Sequence, residues 1–311
     1  MCGIAGVIHR GNGTPHDIGL DMTRMLQAMK HRGPDSTGYA LYGEKGDLVV
    51  MRYKLADANT PRDFEFHDKL RRHRATVEAR LERAGARIHE IDEETDYAFR
   101  VTLAYTGDLK RLADIVEDVP DAEVLSLGHS LEIVKDLGDA EQVAEQYHLE
   151  RIRGTHAIGH VRMATESDVD ISGAHPYWAY PFADVAVVHN GQLTNYFQWR
   201  RRLERVGHRF NSECDSEVIA VYLAEKMVNG SSLEEAMRDS LDDLDGVFTY
   251  ICVTEDALGV AKDEMAAKPL VLYESDDLVA LASEEIAIRA LIDHEIETYD
   301  PYEREVLVWT R

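Results

Sequence analysis

Met1-Cys2-Gly3-Ile4-Ala5-Gly6-Val7-Ile8 opens the chain. Residues 3–8 are apolar and rich in small side chains, which reads as a short buried strand. Just ahead of it stands a cysteine followed by glycine. Removal of Met1 leaves Cys2 as the first residue, with its own free α-amine beside its thiol. The thiolate is the reactive form of cysteine, and a free thiol titrates near ~8.5. An α-amine titrates at about 7.7–8.0, so a useful fraction is neutral near neutral pH and can act as a base. One residue then supplies both nucleophile and base. The plainer reading, which Cys2 by itself favours, is a structural cysteine buried on the first strand.

The chain has 311 residues, enough for one large domain or two ordinary ones. Hydrophobic residues make up 44% and charged residues 30%, an ordinary globular profile. The formal net charge of -24 argues against nucleic acid and anionic membrane as partners, because both would be repelled. The three cysteines are Cys2, Cys214 and Cys252. With no basic leader and apolar export core at the N-terminus, that count predicts a reduced, cytoplasmic chain without a disulfide framework. No apolar run approaches the roughly 18 residues needed to span a bilayer. The 14 histidines are scattered and no Cys-x-x-Cys occurs, so no metal site is predicted.

Beyond the first strand, Ile18, Met22, Met25, Leu26 and Met29 recur at helical spacing. A turn cluster, His31-Arg32-Gly33-Pro34-Asp35-Ser36, ends that helix, and strands are expected over 39–42 and 48–52. The middle, about 57–153, has a different texture. Residues 63–84 form a highly charged helix carrying Leu70, Val77 and Leu81. Strands over 87–91 and 97–105, a helix over 109–116, a strand over 123–127 and a helix over 139–149 follow. The order resembles a small split βαβ unit and is read as an insertion into the parent domain. The second half resumes with strands over 157–161 and 184–189 around a loop at 173–181. Two helices follow, over 215–227 and 232–244, the second opened by a Ser232/Glu235 capping box. Strands over 247–253, 258–261, 270–273 and 278–281, a helix over 284–292 and a strand over 306–309 close the chain. Cys252 falls in an apolar run and reads as core.

Several short motifs change the reading of Cys2. The opening Met1–Gly6 and the octet His31-Arg32-Gly33-Pro34-Asp35-Ser36-Thr37-Gly38 both resemble class II glutamine amidotransferases. Gly159-His160-Val161-Arg162-Met163-Ala164-Thr165 resembles that family's glutamine-carboxylate motif. His189-Asn190-Gly191-Gln192 resembles its oxyanion motif, and Asn211-Ser212-Glu213-Cys214-Asp215-Ser216-Glu217 its substrate-amine motif. Lys268-Pro269-Leu270 and Ala282-Ser283-Glu284 match weaker late motifs. The resemblance covers the chain except the middle segment.

Each position has a chemical reason. Attack by Cys2 on an amide carbon develops an oxyanion. The Asn190 side-chain NH2 and the Gly191 backbone N–H, expected just past a strand end, are two neutral donors for it, each worth a few kcal/mol of barrier. Asn-Gly alone would also read as a plain hairpin turn. Free glutamine is a zwitterion. Arg162 suits a bidentate grip on its α-carboxylate and Asp215 suits its α-ammonium. Singly, Arg162 also reads as a surface charge and Asp215 as a helix N-cap. By the resemblance Arg32 belongs with the substrate-binding set and braces the site; a structural turn role stands beside that. Three positions depart from the family pattern: Met163 where many relatives carry an aromatic, Glu166 where some carry histidine, and Cys214 in place of threonine.

The resemblance implies a four-layer αββα sandwich of the N-terminal nucleophile hydrolase type over residues 1–311, with an insertion at about 57–153. It implies an enzyme that hydrolyses L-glutamine through a Cys2 thioester. No Gly-rich phosphate loop or other nucleotide signature appears, so the ammonia acceptor is expected on another chain, in a hetero-oligomer, or is absent. The stretches Arg162–Ser167 and Gly173–Pro176 are similar to stand-alone amidotransferase subunits of glutamate-synthase-like systems, including N-methylglutamate synthase. That likeness implies no cofactor in this chain, and FMN and an iron–sulfur cluster in a separate synthase subunit. Two alternatives stay open: an amidotransferase-like subunit for which glutamine is not the physiological donor, and a non-catalytic scaffold whose charged middle segment docks a partner.

Overall fold

The computed structural model describes residues 2–11, 14–163 and 171–311. The N-terminal part runs β1 (Gly3–His9), α1 (Ile18–Ala28) and β2 (Ser36–Gly43). Next come β3 (Val49–Lys54), α2 (Phe66–Arg83), β4 (Arg87–Asp92), β5 (Ala98–Ala104), α3 (Leu109–Glu117) and β6 (Glu123–Gly128). The chain continues through β7 (Leu131–Leu137), α4 (Ala140–Gln146), β8 (Gly154–Arg162), β9 (Tyr177–Trp178), β10 (Ala186–Leu193), α5 (Tyr196–Arg205), α6 (Asp215–Val228) and α7 (Leu233–Asp243). It closes with β11 (Gly246–Val253), β12 (Ala257–Lys262), β13 (Val271–Glu274), β14 (Leu278–Ala282), α8 (Glu285–Arg289) and β15 (Val306–Thr310).

Two antiparallel sheets lie face to face. One has the order β13-β14-β1-β8-β2-β7, the other β15-β12-β11-β10-β9. β1 and β8, at the centre of the first, pack on β10 and β11 of the second. Helices α1, α4 and α8 cover the outer face of the first sheet, and α6 and α7, with α5 against α6, cover the second. This is the expected αββα sandwich. Because both faces of the central strands are covered, β8 is buried along its whole length and β1 over its first six residues. That is why β1 reads as a continuous apolar run rather than an alternating one. Cys252 on β11 is fully buried beneath the helical layer, and burial pushes its thiol well up.

A third sheet, β4-β5-β3-β6, carries α2 and α3. Helix α2 buries Phe66, Leu70, Val77 and Leu81 in one stripe and carries charged pairs beside it, such as the half-buried Arg74–Glu78 at 2.8 Å. The small sheet does not coincide with residues 57–153. Its strand β3 precedes residue 57, whereas β7 and α4 belong to the large sheet and its helical cover: Tyr39 of β2 pairs with Val134 of β7. β7 was not anticipated because it carries Glu132, Lys135 and Asp136. Lys135 and Asp136 are buried, Glu132 is partly so, and all three are partnered, Glu132 by Arg52 and Arg100. Asp136 accepts from the hydroxyl of Tyr147 at 2.8 Å. Helix α5 was not anticipated either; it buries only Trp199 and Leu203 among four arginines. The Ser232/Glu235 capping box forms as expected, with Glu235 N–H donating to Ser232 Oγ at 3.2 Å and Ser232 N–H to the Glu235 carboxylate at 2.8 Å.

Candidate active site

Cys2 immediately precedes β1 and is half-buried at one end of the central strands. Its sulfur accepts from Met163 N–H at 3.4 Å. Its carbonyl accepts from two side chains, Arg32 Nε at 3.0 Å and Asn190 Nδ2 at 3.2 Å. Arg32 is anchored by Glu284 at 2.5 Å, and His31 reaches the other oxygen of that carboxylate at 3.0 Å. Partial burial works against the charge of Glu284, yet the Arg32 guanidinium holds its carboxyl below the usual range. Arg32 therefore braces the backbone of Cys2. It is not among the residues lining the cavity beside Cys2, so its geometry is that of a brace and not of a substrate ligand.

That cavity, about 930 Å³, is lined by Cys2, Arg162, Asn190, Gly191 and Asp215 among others. The five expected site residues outside Arg32 thus meet at one place, brought there by four segments: the start of β1, the end of β8, the middle of β10 and the start of α6. Asn190 and Gly191 are not past a strand end and not in a hairpin turn. They lie inside β10, paired with Thr249 and Phe248 of β11. Gly191 has φ +141°, and a Cβ there would stand 2.1 Å from the Val247 carbonyl, so only glycine fits. Gly33 serves similarly at the brace: a Cβ on it would lie 2.5 Å from the Arg162 backbone, against which the 31–35 turn is pressed.

Asp215 does not act as an N-cap. Cys214 holds the cap position of α6, and Asp215, the first helical residue, turns its carboxylate back to β10. There it accepts from Leu193 N–H at 2.8 Å and lies 3.6 Å from His189 Nδ1. Burial opposes its ionisation, but His189 and the Leu193 N–H hold the carboxyl below the usual carboxylate range. Arg162 is nearly buried at the end of β8, so it is not a surface charge.

Four contributors were not singled out from the sequence. His160 and His175 stack at 4.1 Å beneath the cavity. Ser216 bridges His175 at 2.6 Å and His189 at 2.8 Å. Burial, reinforced by neighbouring imidazoles and Arg162, lowers His160 to about 3 and keeps His175 well below its ordinary value. His160 and His175 are therefore neutral at physiological pH. Ser283 is the fourth: its Oγ accepts from Ile4 N–H at 3.0 Å and from Asn190 Nδ2 at 3.3 Å, tying the Cys2 strand to the Asn190 side chain across the sheets. All four stand inside motifs quoted above, which was the available signal. Ala164, Thr165 and Glu166 lie outside the described residues.

A four-layer αββα sandwich with its cavity at the end of the central strands is the architecture of N-terminal nucleophile hydrolases. The sequence model of the glutamine amidotransferase domain matches residues 160–290. A provisionally named glutamine amidotransferase of Methanothermobacter thermautotrophicus is 42% identical over 98% of this chain and 99% of its own length. The glutamine amidotransferase-like protein GlxB of Rhizobium meliloti is 34% identical over 99% and 98%. The solved glutamine phosphoribosylpyrophosphate amidotransferase of B. subtilis shares the fold, with a TM-score of 0.60 at 19% identity; the alignment covers 99% of this chain and 47% of that one. The chain belongs to the class II glutamine amidotransferases.

Proposed function

We propose that this protein is a glutaminase subunit that releases ammonia from L-glutamine through Cys2 and passes it to a separate synthase chain. The observation that carries the reading is the convergence of Cys2, Asn190, Gly191, Arg162 and Asp215 on one cavity. After removal of Met1, the α-amine of Cys2 takes the thiol proton and the sulfur attacks the side-chain amide carbon of glutamine. Asn190 and Gly191 stabilise the oxyanion, while Arg162 and Asp215 hold the carboxylate and the ammonium. The α-ammonium returns its proton to the leaving nitrogen, ammonia departs, and water hydrolyses the thioester to glutamate.

Asn190 Nδ2 is engaged with the Cys2 carbonyl at 3.2 Å, so substrate must draw it toward the new oxyanion. The ammonia acceptor is proposed as a glutamate-synthase-like partner in the cytoplasm, carrying FMN and an iron–sulfur cluster. N-methylglutamate synthase is the form that the 162–167 and 173–176 stretches resemble. The near-full-length matches to the Methanothermobacter and Rhizobium proteins support an acceptor on another chain, since neither has room for a synthase domain. Among the described residues, no group of three or more His, Cys, Asp or Glu is arranged to hold a metal ion, and no helix is long and apolar enough to cross a membrane.

The test is glutamine hydrolysis by the processed protein. Cys2→Ala is expected to lower kcat by about 10³-fold or more. A variant that still releases ammonia at the parent rate would overturn the reading.

A further inference from the structure

The middle of the chain, outside all the amidotransferase motifs, grips loops that line the cavity at two places. The first is the 206–212 loop, which leads into Asn211, Ser212 and Asp215 at the cavity wall. Glu117, at the end of α3 and almost buried, accepts from Asn211 Nδ2 at 2.7 Å, from Val124 N–H at 3.0 Å, and pairs with Arg209. Asp114, one turn earlier on α3, lies 3.1 Å from Arg209, whose guanidinium also covers the Tyr180 ring at 4.5 Å.

The second is the 171–176 loop, which places Ser172, Gly173 and His175 at the cavity. Glu123 of β6 accepts from Ser172 Oγ at 2.8 Å. Lys54 of β3 donates to the same Ser172 Oγ at 3.1 Å and pairs with Glu123 at 3.0 Å. Lys54 is itself buried and further held by Asp57 at 2.7 Å. A surface-solvating segment has no need to bury a carboxylate against each of two loops on a neighbouring unit. Buried charges are costly unless they are paired and well bonded, and here the pairing falls on the loops that shape the substrate cavity.

We infer that Glu117 and Glu123 of the small sheet unit are positioning residues for glutamine binding, each fixing one of the two loops that close the substrate cavity. The inference rests on the glutaminase reading and gives the middle segment a role within it. The two tethers reach different loops although Glu117 also caps the backbone beside Glu123 at Val124: Glu117 acts on 206–212 and so on the approach to Asp215, and Glu123 acts on 171–176 and so on His175. Neither carboxylate lines the cavity, so their loss should weaken substrate binding without removing a reacting group.

The experiment compares Glu117→Gln and Glu123→Gln in the processed, full-length protein by amide hydrogen exchange and by glutaminase kinetics. Exchange should rise about tenfold in 206–212 for the first variant and in 171–176 for the second, each without the other. KM for glutamine should rise about tenfold while kcat stays within about twofold. Arg209→Ala, on the half-exposed partner of Glu117, should reproduce the first pattern without altering a buried acid, and the Glu117/Arg209 double variant should show less than the sum of the two single effects on KM. Exchange that rises everywhere at once, or in neither loop, overturns the inference as a merely structural role. So does loosening of the right loop with KM unmoved. A parent protein with no glutaminase activity sinks the proposed function instead, and the exchange measurement still decides whether the two tethers exist.

Discussion

In the proposed mechanism Asn190 carries two duties. Its amide bonds the Cys2 carbonyl and Ser283 Oγ in the resting protein, and in that mechanism it becomes an oxyanion donor when glutamine arrives. Asn190→Ala is therefore expected to lower kcat by about 10²–10³-fold, read from steady-state ammonia release; a change confined to KM would reassign it to binding. Asp215 carries the opposite expectation. With its charge preserved against burial by His189 and Leu193 N–H, Asp215→Asn should raise KM by about 10–100-fold with a smaller effect on kcat. The residues that touch substrate in this account were legible in the sequence because each stands inside a motif that resembles the family's; singly, Cys2, Asn190-Gly191, Arg162 and Asp215 each had a plainer reading. The supporting residues were not. Ser216 and Ser283 are common residue types whose meaning lies in what they bridge, and His160 or His175 alone reads as any core histidine.

Elements repeat that division. β1 and α1 were plain from small apolar residues and from Met22/Met25/Leu26 spacing. β7 was hidden because its Glu132, Lys135 and Asp136 are inward-facing and satisfied by partners that a hydropathy pattern cannot see, and α5 because its arginines outnumber its two buried anchors. Asn-Gly is a strong hairpin signal, yet Asn190–Gly191 sits within β10 because Phe248 and Thr249 of β11 claim it by register. Gly191→Ala tests that placement: with φ at +141° and Val247 O at 2.1 Å from the added carbon, the variant should lose about 1–3 kcal/mol of stability and nearly all glutaminase activity. A parent-like urea midpoint would show that β10 does not hold this conformation.

The whole molecule buries imidazoles that its unfolded chain would leave free. His156, bonded to Thr254 O at 2.8 Å, is lowered by burial from 6.5 to about 4, and His160 to about 3. Below pH 6.5 the unfolded chain takes up protons that these folded rings refuse. Their contribution to stability is complete above that value and falls as pH drops toward 4, by about 1.4 kcal/mol per pH unit for each ring. Urea midpoints should therefore be flat between pH 7 and 8 and fall steeply from 6 to 4; His156→Gln should soften the slope. An unchanged midpoint at pH 5 would mean the rings are not held neutral. At this scale the sandwich could be anticipated, since strands at both ends flank helices. The grip of the small sheet on two cavity loops could not, because Glu117 and Arg209 are 92 positions apart and nothing local couples them. The central claim is that Cys2, freed of Met1, is the nucleophile for glutamine. Incubating the processed protein with a glutamine-mimicking diazoketone and mapping the product by peptide mass spectrometry tests it most directly. The account predicts one adduct, on Cys2, blocked by excess glutamine and formed more slowly in Asp215→Asn at the same dose; no adduct, or one on Cys214, would contradict it.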